Sequence, residues 1–425
     1  MMNELVIGEF QQNNGLDQWT EAVIKELKGA PLHSLHMQDE VGVDQAPYLK
    51  EAPSLHLHPV RNWQPMQTFV SSQRQANERI LDSLLGGSAA IGLNLRGEIE
   101  SSIWDCLKGV MPEMISLHFL GTTDSTWQSW KQYCADQNVP FEKTTGTLDL
   151  NSLSLSFELI TSLMEAKRNE GKNWRFFSIS SSSSANASSH PIHEVAWLLR
   201  QGHEQFVHLM NGGATPQEAA DSLSFRIELG ESYFLEIAKI RAFRYLWNQL
   251  LVAYGCHDAE QTNPCILGVS SAYLQTRQDP YNNLLRATTQ SMSAILGGCQ
   301  FVEALPYDAY TGDSSDHAYR MGRNILQLLV EEGKINEAVQ AADGAYYIES
   351  LSAQVAEKSW SCFQELDALP LSEALIRLQV LSNNWTESIQ EKIAKGEKVI
   401  VGVNRYVDKS AELLDAKIPL RTTEP

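Results

Sequence analysis

Cys265-Ile266-Leu267-Gly268-Val269-Ser270, a segment opened by Asp279-Pro280 and closed after Leu296 by Gly297-Gly298, then Cys299-Gln300-Phe301-Val302-Glu303-Ala304-Leu305: the reading of residues 265–305 decides the fold. Two short apolar runs, each too brief for a helix, flank a segment long enough for four helical turns. The proline sits near the helix start and the glycines just past its end, the usual polarity of such signals. Strand, helix and strand in that order, with a long crossover, predict a parallel pair. The unit recurs outward in both directions. Ala89–Leu95, Ile115–Leu120 and Phe176–Ser180 read as further strands. Helices are expected over 72–85 (ended by Gly86-Gly87), about 99–108, around Trp127, Trp130 and Tyr133, and over 152–170, 191–210, 316–332 and 347–366. Thr215-Pro216-Gln217-Glu218 combines capping-box spacing with proline at the first helical position. A long helix of about 229–253 places Leu229, Tyr233, Ile237, Ile240, Trp247 and Leu251 on one face, with Arg244 in the same stripe. Repeated strand–helix units call for a parallel sheet covered by helices. The glycine-rich dinucleotide fingerprint of an open sheet is absent, and the span of about 85–350 suits one closed barrel. The expected class is α/β, a (β/α)8 barrel with an extended N-terminal arm. The arm and its first helix (Trp19–Leu27) occupy 1–60, the barrel and C-terminal helices 61–406, and a tail 407–425.

Composition narrows the function. The 425 residues carry 52 acidic and 33 basic side chains, a formal net charge of -19, and no long Lys/Arg block. Such a surface repels nucleic-acid phosphates. No apolar run approaches the roughly 18 residues of a membrane span, and Met1–Phe10 lacks the basic-then-apolar order of a signal peptide. Cys106, Cys134, Cys256, Cys265, Cys299 and Cys362 fit no CxxC or zinc template. They read as free thiols of a reducing cytoplasm.

Several segments are candidates for chemistry. Ile179 to His190 holds a serine run directly after a strand, hence at the functional face of a barrel. It reads as a flexible loop or as a lining of small hydroxyls, and no Gly-x-Ser-x-Gly marks a nucleophile. His190 and His193 share a helix start without a carboxylate at ligand spacing. Asp308, Asp313, Asp316 and His317 offer acid–base groups but suit a polar loop and a helix cap better. Gln300 lies in an apolar strand, so its amide needs a partner, either a ligand or the protein itself.

Phe225-Arg226-Ile227-Glu228-Leu229-Gly230-Glu231-Ser232-Tyr233-Phe234-Leu235-Glu236-Ile237-Ala238-Lys239-Ile240-Arg241-Ala242 resembles a signature of the methylmalonyl-CoA mutase family. So do Gln278–Arg286, Leu296–Gln300, Arg320–Asn324, Tyr346–Leu351 and Val401–Tyr406, in the family's order over roughly 63–406. The resemblance implies a barrel that takes an acyl-CoA along its axis, in a tunnel lined by small hydroxyl side chains. It also implies a separate cobalamin domain above the barrel's C-terminal face. The cofactor then supplies the radical chemistry, and the protein positions substrate and excludes solvent.

The same resemblance exposes departures. Thr68 stands where catalytic members carry a tyrosine, Asp149 where they carry a substrate-contacting glutamine, and Ser182-Ser183 where they carry Tyr-His. Gln300 is kept, but Phe301–Leu305 replaces Ser-Leu-His-Thr-Asn. Thr68, Asp149, Ser182, Ser183 and Gln300 are therefore candidate remnants of a site, with no catalytic residue assigned. No Asp-x-His-x-x-Gly, the family's source of cobalt's lower histidine ligand, occurs in the chain. The expected role is the small subunit of an adenosylcobalamin-dependent mutase. Such a subunit binds no cofactor or metal alone and works with a large catalytic subunit on acyl-CoA, or pairs as a homodimer in isolation. The alternative is a catalytic acyl-CoA mutase chain whose cobalamin domain is absent or separate.

Overall fold

The computed structural model describes residues 15–38, 41–49, 51–73, 75–95, 101–181, 190–256, 263–338 and 340–408. Eight strands close into a barrel: β1 (Gln64–Val70), β2 (Ala90–Asn94), β3 (Ser116–Leu120), β4 (Thr145–Leu150), β5 (Trp174–Ser180), β6 (Leu223–Leu229), β7 (Cys265–Ser270) and β8 (Phe301–Glu303). Neighbours are parallel throughout, and the ring closes where Phe301 pairs with both Leu267 and Gln64. The β4–β5 register shifts between Thr147 and Leu150, so Phe176 and Phe177 both bury while Arg175 and Ser178 stay half-buried.

Apolar periodicity alone misses three of these strands, β1, β4 and β6. β1 falls outside the expected 85–350 span, and β6 lies where a helix was expected to begin at about 229. β1 reads Gln-Pro-Met-Gln-Thr-Phe-Val and β6 Leu-Ser-Phe-Arg-Ile-Glu-Leu. β6 alternates polar Ser224, Arg226 and Glu228 with apolar residues because one face looks into the barrel, and β1 is broken up by Gln64, Gln67 and Thr68.

The covering helices are α1 (Gly15–Glu26), α2 (Ala76–Leu85), α3 (Thr126–Asp136), α4 (Phe157–Asn169), α5 (Pro191–Asn211), α6 (Pro216–Ala220), α7 (Tyr233–Ala253), α8 (Asn282–Gly297), α9 (Asp316–Glu331), α10 (Tyr346–Asp367) and α11 (Leu371–Ala394). The helix expected near 99–108 is a 3-10 segment, Ser101–Leu107, and α6 carries the anticipated capping box. The main core lies between strands and helices. There Trp127, Trp130, Trp174, Phe119 and Phe176 meet at ring distances of 4.5 to 6.1 Å.

The expected one-sided stripe of α7 is instead buried nearly all round, because α10 packs over its outer side. Its charged residues therefore need partners. Lys239 Nζ lies 2.7 Å from Glu194, 2.6 Å from Glu236 and 2.8 Å from the Glu228 carbonyl. Arg241 pairs with Glu349 at 2.7 Å and with Asp343.

The arm divides in two. Val41, Val43, Leu55 and Leu57 are buried on the chain's own body. Gln340 Nε2 donates to the Leu57 carbonyl (2.7 Å), Asn263 Nδ2 to that of Pro59 (3.2 Å), and Arg244 to that of His58. By contrast, no residue of α1 from Asp17 to Glu26 is buried; Trp19 only stacks on Tyr48 at 5.6 Å.

Candidate functional site

Alternation along the parallel strands sends every second side chain into the barrel. Met66, Ala90, Leu267 and Val269 form an apolar cluster there with Phe301 and Leu305, separate from the main core. Charged and polar groups share the same interior. Thr68 presents its backbone N–H to Glu303 Oε1 (2.7 Å) and its hydroxyl to Oε2 (2.8 Å). Arg226 Nη1 reaches across from β6 to 3.9 Å from the same carboxylate. Burial raises the Glu303 carboxyl above its ordinary range, and the Arg226 charge and the Thr68 bonds pull it partly back. Glu228, one turn of the pleat above Arg226, is likewise raised by burial, and it accepts from the Ser271 hydroxyl at 3.0 Å.

His118 is held between Thr147 Oγ1 (Nδ1, 3.0 Å) and Ser116 Oγ (Nε2, 3.2 Å), edge-on to Phe301 at 4.2 Å. Burial first, then the charges of Arg175 and Arg226, depress its pKa to about 3. It stays neutral near pH 7 and cannot serve there as a cationic acid.

The candidates from sequence are not gathered into one place. Asp149, on β4, accepts from the N–H groups of Gly121 and Thr122 (2.8 Å each) and from the Thr122 hydroxyl (2.6 Å). Its carboxylate ties down the loop after β3. Thr68 faces Glu303 from β1. Gln300 lies at the opposite, N-terminal mouth, just before β8, where its Oε1 accepts from the Ile266 N–H at 2.7 Å. Its amide oxygen thus finds its partner in the protein backbone. Ser182 and Ser183 lie outside the described residues; Ser181, next to them, accepts from the Glu228 N–H at 3.1 Å. The acidic loop is a cap: Asp308 accepts from Ser315, and Asp316 pairs with Arg79 at 2.8 Å. Among the described residues no group of three or more His, Cys, Asp or Glu is placed to hold a metal ion.

A Cβ added at Gly92 would meet Thr68 Oγ1 at 2.3 Å and Met66 Cε at 2.6 Å, so these two side chains of the neighbouring strand β1 pack directly over the Gly92 backbone. The histidine inside the barrel and the one at the start of α5 do not fit cobalamin's lower ligand. His118 is engaged by Ser116 and Thr147, and His190 lies under Trp385 at 4.7 Å. Reading the sequence for family positions overlooked Arg226, Glu228, Glu303 and His118. The available signal was charge at alternate positions of an otherwise apolar strand.

Similarity to known proteins agrees with this architecture. The family model described as methylmalonyl-CoA mutase matches residues 145–422. Methylmalonyl-CoA mutase of Cereibacter sphaeroides is 30% identical over 59% of this chain and 36% of its own length. The methylmalonyl-CoA mutase small subunit of Porphyromonas gingivalis is 25% identical over 85% of this chain and 61% of that protein. The small subunit from Propionibacterium freudenreichii subsp. shermanii is 33% identical over 55% and 37%. The chain thus spans less than two thirds of the length of these relatives. With a family match over more than half its residues and a closed eight-stranded barrel beneath it, the chain belongs to the methylmalonyl-CoA mutase family.

Proposed function

We propose that this chain is the small, non-catalytic subunit of an adenosylcobalamin-dependent methylmalonyl-CoA mutase, supporting the interconversion of methylmalonyl-CoA and succinyl-CoA by a larger partner. The observation that carries the reading is that Thr68 and Asp149, at two of the matched site positions, are already bonded within the protein. The Thr68 hydroxyl and N–H are bound by Glu303, and Asp149 is bound by the loop after β3. An acyl-CoA head that recruited Thr68 or Asp149 would have to break these bonds. Buried polar groups released without new partners cost about 1–3 kcal/mol each. On this reading the cobalamin and the reacting acyl-CoA reside in the partner, and the chain alone binds no cofactor. Its six free thiols suit a reducing cytoplasm. Among the described residues no helix is long and apolar enough to cross a membrane.

Helix α1 supplies a surface for assembly. Trp19, Val23 and Leu27 recur along one side and stay only half-buried, Trp19 against Tyr48, while Ile24 and Met37 are exposed. Such an amphipathic helix gains most by burying that side on another subunit. Co-expression with the large mutase subunit of the same organism, followed by size analysis and a succinyl-CoA to methylmalonyl-CoA assay, tests the proposal. A stable one-to-one complex with activity, and none from this chain with added cobalamin, is expected. Turnover by this chain alone, or a homodimer that excludes the large subunit, would overturn it.

A further inference from the structure

At the N-terminus of α5, His190 and His193 stack ring on ring at 4.4 Å and 26°. Trp385 of α11 closes over His190 edge-on at 4.7 Å. Beneath them is a void of ≈ 10 Å³, about the room of one water molecule. It is lined by His190, His193, Glu194, Trp197 and, from α11, Leu378 and Ser382. His190 Nδ1, His193 Nδ1, Glu194 Oε1 and Trp197 Nε1 are all buried there without a hydrogen-bond partner. A junction built on four orphaned polar atoms is weakly held.

The helix that seals it is held weakly as well. α11 runs for 24 residues, yet buries only Ala374, Leu378, Ser382 and Ile389 outright. We propose that the His190–His193 pair is an acid-sensitive latch: neutral imidazoles let α11 dock on α5 and α10, and their protonation releases α11 from the barrel.

Most of the charges around the pair oppose a positive charge there. His190 caps α5, whose N-terminal dipole disfavours a cation. The two rings disfavour each other's charge. α10 brings Lys358 toward His190 and α11 brings Arg377 toward His193, while Glu365 of α10 and the unpartnered Oε1 of Glu194 favour protonation. Glu194 is already paired with Lys239 at 2.7 Å. Burial, followed by these charges, lowers His190 to about 3 and lowers His193 in the same direction. The sign follows from proton linkage. With α11 released, both imidazoles regain an ordinary pKa near 6.5 and take up protons that the docked state refuses. Docking is therefore at full strength above about pH 6.5 and weakens as pH falls toward about 3. Each histidine contributes up to about a tenfold drop in the docking constant per pH unit.

Deuterium exchange on the full chain tests this. At pH 7.5 and pH 5.0, corrected for intrinsic rates, amides of α11 should lose protection at the lower pH while those of α8 keep theirs. The His190→Phe/His193→Leu variant should abolish the difference. The emission of wild type minus Trp385→Phe should shift to the red over the same range. Unchanged α11 protection at pH 5.0, or equal loss in α8 and α11, overturns the proposal in wild-type protein, whether or not the double variant folds. Loss of α11 protection that persists in a folded double variant overturns it too.

Discussion

Replacing Lys239 with methionine is the sharpest test of how this barrel is held together. Lys239 is buried on α7 and bridges Glu194 of α5, Glu236 of its own helix and the last turn of β6 through the Glu228 carbonyl. The two glutamates are nearly as inaccessible as the lysine. Together they raise the Lys239 pKa well above its usual value against the opposing effect of burial. Methionine preserves the stem's packing and removes the charge, leaving two carboxylates facing each other in a desolvated site. Breaking a buried ionic group by deleting one partner costs about 3–5 kcal/mol. Glu236 is already raised by burial even with the lysine present. Without the cation it should take a proton first, and stability should then recover as pH falls. A carboxyl whose folded pKa lies above its unfolded value destabilises the fold above that pKa, and the penalty fades below it. Urea unfolding followed by far-UV circular dichroism at pH 7.5 and 6.0 is the assay. With a slope of roughly 3 kcal/mol per molar urea, the midpoint should drop by about 1 M or more at pH 7.5, and by less at pH 6.0. A loss under about 1 kcal/mol, or a loss that does not shrink at pH 6.0, would refute the assignment of this trio as a linked ionic group.

Other consequences are quicker to check. Thr68→Val removes one of two donors to the Glu303 carboxylate and should cost about 1–3 kcal/mol in the same urea assay, because the carboxylate cannot recruit water easily. Gly92→Leu drives a side chain into Thr68 and Met66 of the neighbouring strand, and should lower the yield of folded protein or cost about 1–3 kcal/mol. His118 should show no imidazole titration by NMR between pH 8 and 5, in keeping with a pKa near 3. The absorption spectrum of adenosylcobalamin should not change on addition of the chain, and a saturable base-off spectrum at micromolar protein would contradict the proposed division of labour.

The strand–helix–strand rhythm of 265–305 determined the parallel barrel, because crossover length and apolar run length act locally and need no distant contact. Most helix starts and stops were legible for the same reason, as the Thr215–Glu218 capping box shows. β1, β4 and β6 were not, since Gln67 and Thr68, Thr145, Thr147 and Asp149, and Ser224, Arg226 and Glu228 interrupt them, and a strand so interrupted does not read as an apolar run. The departures at Thr68 and Asp149 could be read from the sequence, but not what those residues do. That depended on partners more than 200 residues away in one case and on the neighbouring strand's loop in the other. Gln300 illustrates the limit most clearly. Its need for a partner followed from chemistry alone, and only the closing of β8 between β7 and β1 decided that the partner is the Ile266 backbone. Side-chain chemistry is carried by the sequence; which groups meet inside a closed ring of strands is set by register, and register is a property of the whole barrel.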